Sequence, residues 1–314
     1  MDRLLVNGVA KHRWLQDQPV HRLRVHFDSL LELDELLPLA VACEWRVGLR
    51  CHVPDEADAR DPRFGGQFGM SKDEAIAGVH RLRRVGLEVE SMHFHLGQVK
   101  QSVGVYVRAV DHLKSICEAA NATPTIIDYG GGLPTVEDRG WRDAFTGLEA
   151  AVGRTAELFP EVTAVWLENG RYMTTSSTVL AVRVLDIKER PECRYLVCDG
   201  GRTNHALAAD IRPHPIVPLT ERSGSPRLTT VCGPTCMTDD RLGRVELPED
   251  VAVGDVLIWM DAGAYHLPWE TRFSHGLCAV VWCGADGRPT IAREREPARA
   301  ANDLWAPTAD HVHV

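Results

Sequence analysis

Two segments of the chain place glycines directly after apolar runs, where the backbone could bind an anion. The first run, Thr125–Tyr129, leads into three consecutive glycines, and the second, Ala164–Leu167, leads into Glu168-Asn-Gly-Arg171. Because glycine lacks a Cβ atom, successive backbone N–H groups can turn toward a phosphate and approach it closely. An arginine adds a planar fork that matches two phosphate oxygens.

This arrangement is typical of the phosphate site in a (β/α) barrel. There the loops after the last two strands hold the phosphate, and catalytic groups follow the ends of the strands. The residues predicted at such a site are Gly130, Gly131, Gly132, Gly170 and Arg171. A flexible turn remains the alternative interpretation of the three glycines, because short glycine motifs also occur without a ligand.

Composition narrows the possible functions. The 314 residues suffice for two domains, and contents of 44% hydrophobic and 25% charged residues are ordinary for a globular protein. A net charge of −9 disfavours nucleic-acid or anionic-membrane partners, which need a basic surface. No apolar run approaches the ~20 residues of a membrane span, and the N-terminus lacks a signal-peptide pattern. Nine scattered cysteines favour reduced thiols over disulfides, so we expect a cytoplasmic protein.

The first half of the chain alternates strand-like and helix-like segments. Arg22–Asp28 and Glu44–Val53 have apolar residues at alternate positions. Ser71-Lys-Asp-Glu74 has capping-box spacing and predicts the start of a helix, and a second helix is predicted at about Val105–Ala120. We count about six β/α units, which predicts a parallel sheet. A closed barrel has eight strands, so the predicted fold is an α/β, incomplete (β/α)8 barrel.

From about Val179 onward, long helical segments are replaced by short strands. β-branched runs separated by Gly, Pro and Asp predict an antiparallel β domain. These runs are Val179–Ile187, Arg194–Cys198, Arg227–Cys232, Val256–Met260 and Leu277–Cys283. The sequence therefore predicts two domains: a partial barrel at residues 1–178, and a β domain with active-site loops at residues 179–314.

Six short motifs, in a fixed order over nearly the whole chain, resemble one protein family. They are Phe94-His-Leu-Gly97, Asp128-Tyr-Gly-Gly-Gly132, Glu168-Asn-Gly-Arg171, Asp199-Gly-Gly201, Gly233-Pro-Thr-Cys236 with Asp240, and Ala262-Gly-Ala-Tyr265. This set resembles the fold-type III pyridoxal-phosphate decarboxylases, the ornithine/diaminopimelate/arginine decarboxylase group. The resemblance implies an amino-acid decarboxylase that uses pyridoxal 5′-phosphate, acts on a small-molecule amino-acid substrate and pairs with a second copy of itself.

The resemblance also implies how the cofactor is bound. His95 would lie against one face of the ring, and Glu168 would bond the ring nitrogen and keep it protonated, so that the ring accepts electrons. The remaining cofactor-binding residues would be Gly130, Gly131, Gly132, Gly170, Arg171, Tyr265 and Arg50. A core histidine on a buried strand is the alternative for His95.

On the substrate side, the resemblance points to the loops of the second domain. Cys236 would be catalytic, returning a proton to the substrate across a dimer interface, and a small buried hydrophobe is the alternative. Met237, Asp240 and Asp199 would lie near the substrate. Related enzymes that grip a distal amino group often carry an acid where Met237 stands, so a simple basic diamino acid is disfavoured.

A metal site is the competing interpretation of some of these residues. His93 and His95 share one face of a strand, and Cys232 and Cys236 form a Cys-x3-Cys pair. Zinc sites normally need three or four ligands with a recognisable second pair. We therefore predict no metal.

The largest departure from the family concerns the Schiff-base lysine, which family members carry in a Tyr-Ala-x-Lys-type motif. The lysines of this sequence are Lys11, Lys72, Lys100, Lys114 and Lys188, and none lies in such a motif. We expect a separate small chain to supply that lysine and the first two β/α units, making a split enzyme. A truncated sequence is one alternative. A catalytically inactive homologue that binds and regulates an active decarboxylase is another.

Overall fold

The structure is a computed structural model, which describes residues 4–17, 20–53, 66–97, 103–138, 140–204, 213–273 and 275–297. The chain divides into two compact units, Met1–Tyr172 and Met173–Val314. The boundary predicted from the sequence, after residue 178, lies a few residues further along the chain.

Six parallel strands form the sheet of the first unit, and they pair in the order of the chain. The strands are β1 (Leu5–Val6), β2 (Arg24–Phe27), β3 (Arg46–Arg50), β4 (Val89–His93), β5 (Ile126–Asp128) and β6 (Ala164–Trp166). The helices are α1 (His12–Leu15), α2 (Leu30–Ala42), α3 (Lys72–Arg84), α4 (Val103–Ala120) and α5 (Trp141–Leu158), and α6 (Gly170–Thr174) begins in this unit and ends in the next.

Local signals fix where the helices of this unit begin. The Ser71 hydroxyl accepts a hydrogen bond from the Glu74 N–H, while the Glu74 carboxylate accepts one from the Ser71 N–H at 2.8 Å. The predicted capping box is therefore confirmed, and it sets the start of α3. Ser29 caps α2 with its hydroxyl, which accepts a hydrogen bond from the Glu32 N–H at 3.2 Å.

A single hydrophobic core joins these strands to the helices that follow them. Phe27, Leu49 and Ile127 from the strands, with Leu33 and Leu113 from helices, are all 0% exposed. Burial of both faces is the normal state of a parallel sheet. Because the core fixes each strand, it also fixes the residue that follows each strand end.

The register of the sheet aligns the carboxyl ends of four strands. Arg50 pairs with His93, His93 with Asp128, and Asp128 with Trp166. Side chains at and just after these positions therefore lie side by side at one edge of the sheet.

The sheet is curved but not closed. Within the described residues, β1 and β6 each pair with one neighbour only. Even so, Asn7, just after β1, donates a hydrogen bond to Glu168, just after β6, at 2.8 Å. The incomplete barrel predicted from the sequence is confirmed.

The second unit holds a six-stranded sheet in the order β11-β10-β8-β7-β12-β9, and a separate hairpin of β13 and β14. Its elements are β7 (Leu180–Glu189), β8 (Arg194–Cys198), β9 (Ile216–Pro218), β10 (Pro226–Cys232), β11 (Arg241–Pro248), β12 (Val256–Trp259), α7 (His266–Trp269), β13 (Val280–Cys283) and β14 (Pro289–Arg293). The predicted β domain is confirmed. The sheet is mixed, however, because β8 and β10 run parallel. The chain makes this pairing possible by forming β9 at the far edge before it returns to β10.

In the part of the chain that the structure describes, none of the helices combines the length and apolar character needed to cross a membrane.

Candidate active site

The glycine loop after β5 is packed too closely for side chains. A Cβ on Gly131 would lie 2.3 Å from the backbone oxygen of Glu168, and one on Gly130 would lie 2.7 Å from that of Phe94. Gly130 also has a φ of +67°, in the left-handed region that favours glycine. The loop is tied to the next strand end, because Glu168 N–H donates to Gly130 O at 2.8 Å. This close approach is the reason why the sequence needs glycine here.

His95 lies against the same loop. The Gly131 N–H donates to His95 Nδ1 at 3.0 Å, so the ring carries its proton on Nε2. Part of the His95 side chain is exposed to solvent. The partial burial of its ring, and then the positive charge of Arg50, lower the pKa of His95 to about 4. The imidazole is therefore neutral at pH 7.

Glu168 is held by Asn7, which is remote in the sequence and also contacts His93. Asn7 Nδ2 donates to Glu168 Oε1 at 2.8 Å and also lies 3.1 Å from His93 Nε2. An amide NH2 group can only donate, so His93 Nε2 accepts. His93 is 1% exposed, and burial lowers its pKa well below the usual value. The amide of Asn7 thus bridges a neutral imidazole and a carboxylate.

Asp128, at the end of β5, is a second acid beside Glu168. It is 0% exposed, and its Oδ1 accepts a hydrogen bond from the Gly130 N–H at 2.8 Å. Burial, and then the negative charge of Glu168, raise the pKa of Asp128 to about 7. A buried carboxyl beside a second carboxyl ionises less readily, so Asp128 retains its proton in part close to neutral pH.

Arg50, at the end of β3, is the cation of this edge. Its guanidinium pairs with Asp28 at 3.3 Å and lies over the Phe68 ring, 4.8 Å from the ring centroid. Burial lowers the pKa of Arg50, whereas Asp28 and Glu168 raise it. The predicted cofactor-binding arginine therefore lies within the electrostatic reach of Glu168.

Arg171 is nearly buried, and its partner was missed by sequence reasoning. Its Nη1 donates to Asp138 Oδ2 at 3.2 Å, and the same oxygen accepts the Thr135 N–H at 2.8 Å. Asp138 therefore fixes the arginine to the segment that follows the glycine loop. The sequence does contain a signal for this pair: an acidic residue, Asp138, follows the glycine loop closely and could have been paired with Arg171.

Three side chains of this unit lie close enough together to suggest a metal site. Donor atoms of His26, His93 and Glu168 all lie within 4.8 Å of one another. Asn7 Nδ2, however, already donates to both His93 and Glu168, and His26 Nε2 is 2.8 Å from Ser91 Oγ. A cation bridging His93 and Glu168 would have to displace the Asn7 amide. We therefore keep the prediction of no metal.

In the second unit, the loop between β10 and β11 is closed by Asp240. This residue is 3% exposed, and its carboxylate accepts from Arg202 N, Thr235 N and Thr235 Oγ1. These bonds hold the loop that presents Cys236 and Met237, both of which are exposed. Asp240 thus shapes the loop, and direct contact with substrate stays a prediction.

The two other predicted residues of the second unit occupy loops with clear structural constraints. Asp199 is exposed, and its Oδ1 accepts the Arg183 N–H at 2.7 Å. Tyr265 has a φ of +66° and stacks on Trp269 with a centroid distance of 5.3 Å. Its loop follows Gly263, where a Cβ would lie 1.7 Å from Thr174 O. Glycine is therefore required at position 263 for the loop that carries Tyr265 to pack against Thr174.

Comparison with known proteins identifies the family. A family model described as "Pyridoxal-dependent decarboxylase, C-terminal sheet domain" matches residues 26–263, which is more than half of the chain. The chain belongs to the pyridoxal-dependent decarboxylases. Curated relatives of this decarboxylase-family chain include a probable ornithine decarboxylase of Dictyostelium discoideum, 29% identical over 274 residues, which cover 80% of this chain and 57% of the relative. A lysine/ornithine decarboxylase of Selenomonas ruminantium is 28% identical over 88% of this chain and 68% of its own length.

Other matches bear on function and on fold separately. Antizyme inhibitor 2 of Xenopus laevis is 27% identical over 73% of this chain and 54% of its own length. The crystal structure of AQ1208 from Aquifex aeolicus has a TM-score of 0.79 at 22% identity, covering 98% of this chain and 75% of that one. At that identity, the likeness shows the fold alone. The decarboxylase-family chain spans between about half and three quarters of the length of these proteins.

The described residues of the first unit fit the cofactor of this family, pyridoxal 5′-phosphate. When bound, this cofactor supplies a ring that accepts the electron pair left by a departing carboxylate. The neutral imidazole of His95, held against the glycine loop by the Gly131 N–H, suits a ring face. Glu168, beside that loop, offers a carboxylate to a ring nitrogen. Sequence reasoning predicted these residues but missed Asn7, Asp28 and Asp138, which hold them.

Proposed function

We propose that this chain forms the cofactor-binding part of a pyridoxal 5′-phosphate-dependent amino-acid decarboxylase. The proposal rests on three groups that lie together where the parallel strands end: the glycine loop, the neutral His95 and Glu168. In this proposal the glycine loop with Gly170 and Arg171 binds phosphate, and His95 supports one face of the ring. Glu168 keeps the ring nitrogen protonated, and Arg50 adds positive charge nearby.

Loops of the second unit complete the proposal on the substrate side. Cys236 would return a proton to the substrate, and Tyr265 would add a hydroxyl to the phosphate site. Met237 cannot pair with an ammonium group, which argues against a simple diamino acid as substrate. A second copy of the chain would cover the exposed Cys236 and Met237. A cytoplasmic location stays a prediction.

Replacing Glu168 tests the electron-sink role. Glu168→Gln keeps the size of the side chain but removes the charge that holds a ring proton, so we expect decarboxylation of a panel of amino acids to fall below detection. Glu157→Gln, which removes a carboxylate exposed on α5, is the matched control and should retain activity. Full activity of Glu168→Gln in the complete assembly would contradict the assignment.

We further propose that a separate small chain supplies the Schiff-base lysine and completes the barrel. Two observations support this. β1 and β6 each lack a partner on one side within the described residues, and such edges favour pairing with further strands. Lys11, the one buried lysine in the described part of the chain, already binds Glu32 and the Gly8 carbonyl. Burial also lowers its pKa despite the Glu32 charge.

Native mass spectrometry of the purified assembly, before and after borohydride treatment, tests the small chain. We expect a pyridoxyl group fixed on a second polypeptide in a stable complex with this one. Fixation on a lysine of this chain would refute the split arrangement while leaving the decarboxylase proposal intact.

A second candidate function is regulation of an active decarboxylase by an inactive homologue. The match to a protein named Antizyme inhibitor 2 favours keeping this candidate. The two functions differ in one result. A regulator should co-purify with a full-length decarboxylase and change its rate, whereas Glu168→Gln should then have no effect on turnover.

A further inference from the structure

We propose that Asn7 is a positioning residue for Glu168, which holds the carboxylate where it can accept a hydrogen bond from the N–H of a protonated ring nitrogen. This inference rests on the proposed function of Glu168 as the partner of that nitrogen. It concerns a residue outside all six motifs. Asn7 follows β1, the first strand of the sheet, whereas Glu168 follows β6, the last.

The contacts of Asn7 leave its side chain no freedom. Its Oδ1 accepts the Gly8 N–H at 2.8 Å, which fixes which end of the amide is the oxygen. Its Nδ2 then donates one hydrogen to Glu168 Oε1 and the other to His93 Nε2, at 2.8 and 3.1 Å. All the hydrogen-bonding groups of the amide are thereby engaged, and each contact orients the others.

His93 can act as the second acceptor because it is uncharged. The ring is almost completely buried, and burial holds its pKa well below the usual value. A protonated ring would turn an N–H toward the Asn7 NH2 group, which cannot accept it, and the bridge would break. The buried histidine therefore fixes the amide, and the amide fixes Glu168.

The side chain of Glu168 lies among groups of different charge, and the bond from Asn7 gives it a fixed hydrogen-bond donor. Its charged and titratable neighbours are Arg50 from β3, His93 from β4 and Asp128 from β5. Its side chain is 32% exposed, so packing alone does not immobilise it. An ionised carboxylate has about four acceptor sites, so the bond from Asn7 leaves room for a ring N–H.

The test compares two ligands in the full native assembly. The first is pyridoxal 5′-phosphate, and the second is its 1-deaza analogue, in which C–H replaces the ring nitrogen. The ratio of their dissociation constants reports only the bond between Glu168 and the nitrogen. A hydrogen bond to a charged group corresponds to a ratio of roughly tenfold or more in the wild-type protein. Asn7→Ala should reduce the ratio several-fold while leaving binding of the deaza analogue unchanged.

Two further variants separate positioning from general damage. Asn7→Asp keeps the acceptor for the Gly8 N–H but loses both donated bonds, so it should reduce the ratio as Asn7→Ala does. Ser71→Ala removes the cap of α3 and should lower stability without changing the ratio. A wild-type ratio near one would refute the role of Glu168 itself. A normal wild-type ratio that Asn7→Ala fails to change would refute the role of Asn7 alone.

Discussion

Substitution of Gly131 by alanine tests how tightly the glycine loop is joined to Glu168. The φ of Gly131 is not in the left-handed region, so alanine can adopt the backbone conformation and the cost is steric. The new Cβ would lie 2.3 Å from Glu168 O and 3.2 Å from its carbonyl carbon, whereas real Cβ contacts essentially never fall under 3.0 Å. The obstacle is backbone, so a side-chain rotation cannot relieve it.

The resulting strain has a direction as well as a size. Glu168 O accepts the Gly170 N–H at 3.0 Å, so a shift of this carbonyl also displaces the start of the Gly170–Arg171 segment. Overpacking of this kind costs about 1–3 kcal/mol of unfolding free energy. The shift separates the glycine loop from Glu168, and both are assigned to the cofactor. Affinity for pyridoxal 5′-phosphate should therefore fall at least about tenfold, equivalent to 1.4 kcal/mol.

Urea unfolding followed by tryptophan fluorescence measures the first effect, and equilibrium binding of pyridoxal 5′-phosphate measures the second. Gly153→Ala is the matched control, because Gly153 lies on the exposed face of α5 with nothing within 4 Å of its Cβ position. That variant should gain about 0.5–1 kcal/mol from the better helix former. If Gly131→Ala were as stable and bound cofactor as tightly as Gly153→Ala, the close contact between the loop and Glu168 would be refuted.

Three other substitutions or treatments test different parts of the chain. Gly263→Ala should destabilise the second unit by about 1–3 kcal/mol in urea unfolding, since its Cβ would lie 1.7 Å from Thr174 O. Wild-type stability of this variant would contradict the close contact between Gly263 and Thr174. His26 is fully buried, and burial, with Lys11 and Arg50, lowers its pKa to about 3, so the unfolded state binds the extra proton between pH 6.5 and 3. Stability should therefore fall with decreasing pH across that window by up to about 1.4 kcal/mol per pH unit, and His26→Gln should flatten the slope of unfolding free energy against pH. Cys236 and Cys283 are both exposed in the chain. If a second copy covers Cys236 in the native assembly, iodoacetamide should label Cys283 but not Cys236, as measured by peptide mass spectrometry. Equal labelling of the two cysteines would argue against such an interface.

Elements with strong local signals were predictable from the sequence. The capping box at Ser71 marks the start of α3, and the strand Arg194–Cys198 was predicted with the bounds that the structure shows. Both depend on residues within one turn or one strand. β11 was missed although exposed Arg244 and Glu246 alternate with Val245 and Leu247, a strand pattern that the sequence analysis did not use.

Long-range contacts were beyond such reasoning. The motifs located Glu168 and Arg171, but their partners Asn7 and Asp138 lie 161 and 33 residues away in the chain. The contact of Asn7 with Glu168 depends on how strongly the sheet curves, which no local pattern encodes. The parallel pairing of β8 with β10 likewise depends on the path of the chain through β9.

The geometry of the first unit also shows that the proposed roles are not independent. Gly131 N–H donates to His95, Gly130 O accepts the Glu168 N–H, and Glu168 O faces the position of a Gly131 Cβ. The groups assigned to the phosphate, to the ring face and to the ring nitrogen therefore share one backbone assembly. Substitutions within such a network have effects on free energy that do not add. Combining Gly131→Ala with His95→Ala should accordingly weaken cofactor binding by less than the sum of the two single effects, because the first already disturbs the contact that the second removes.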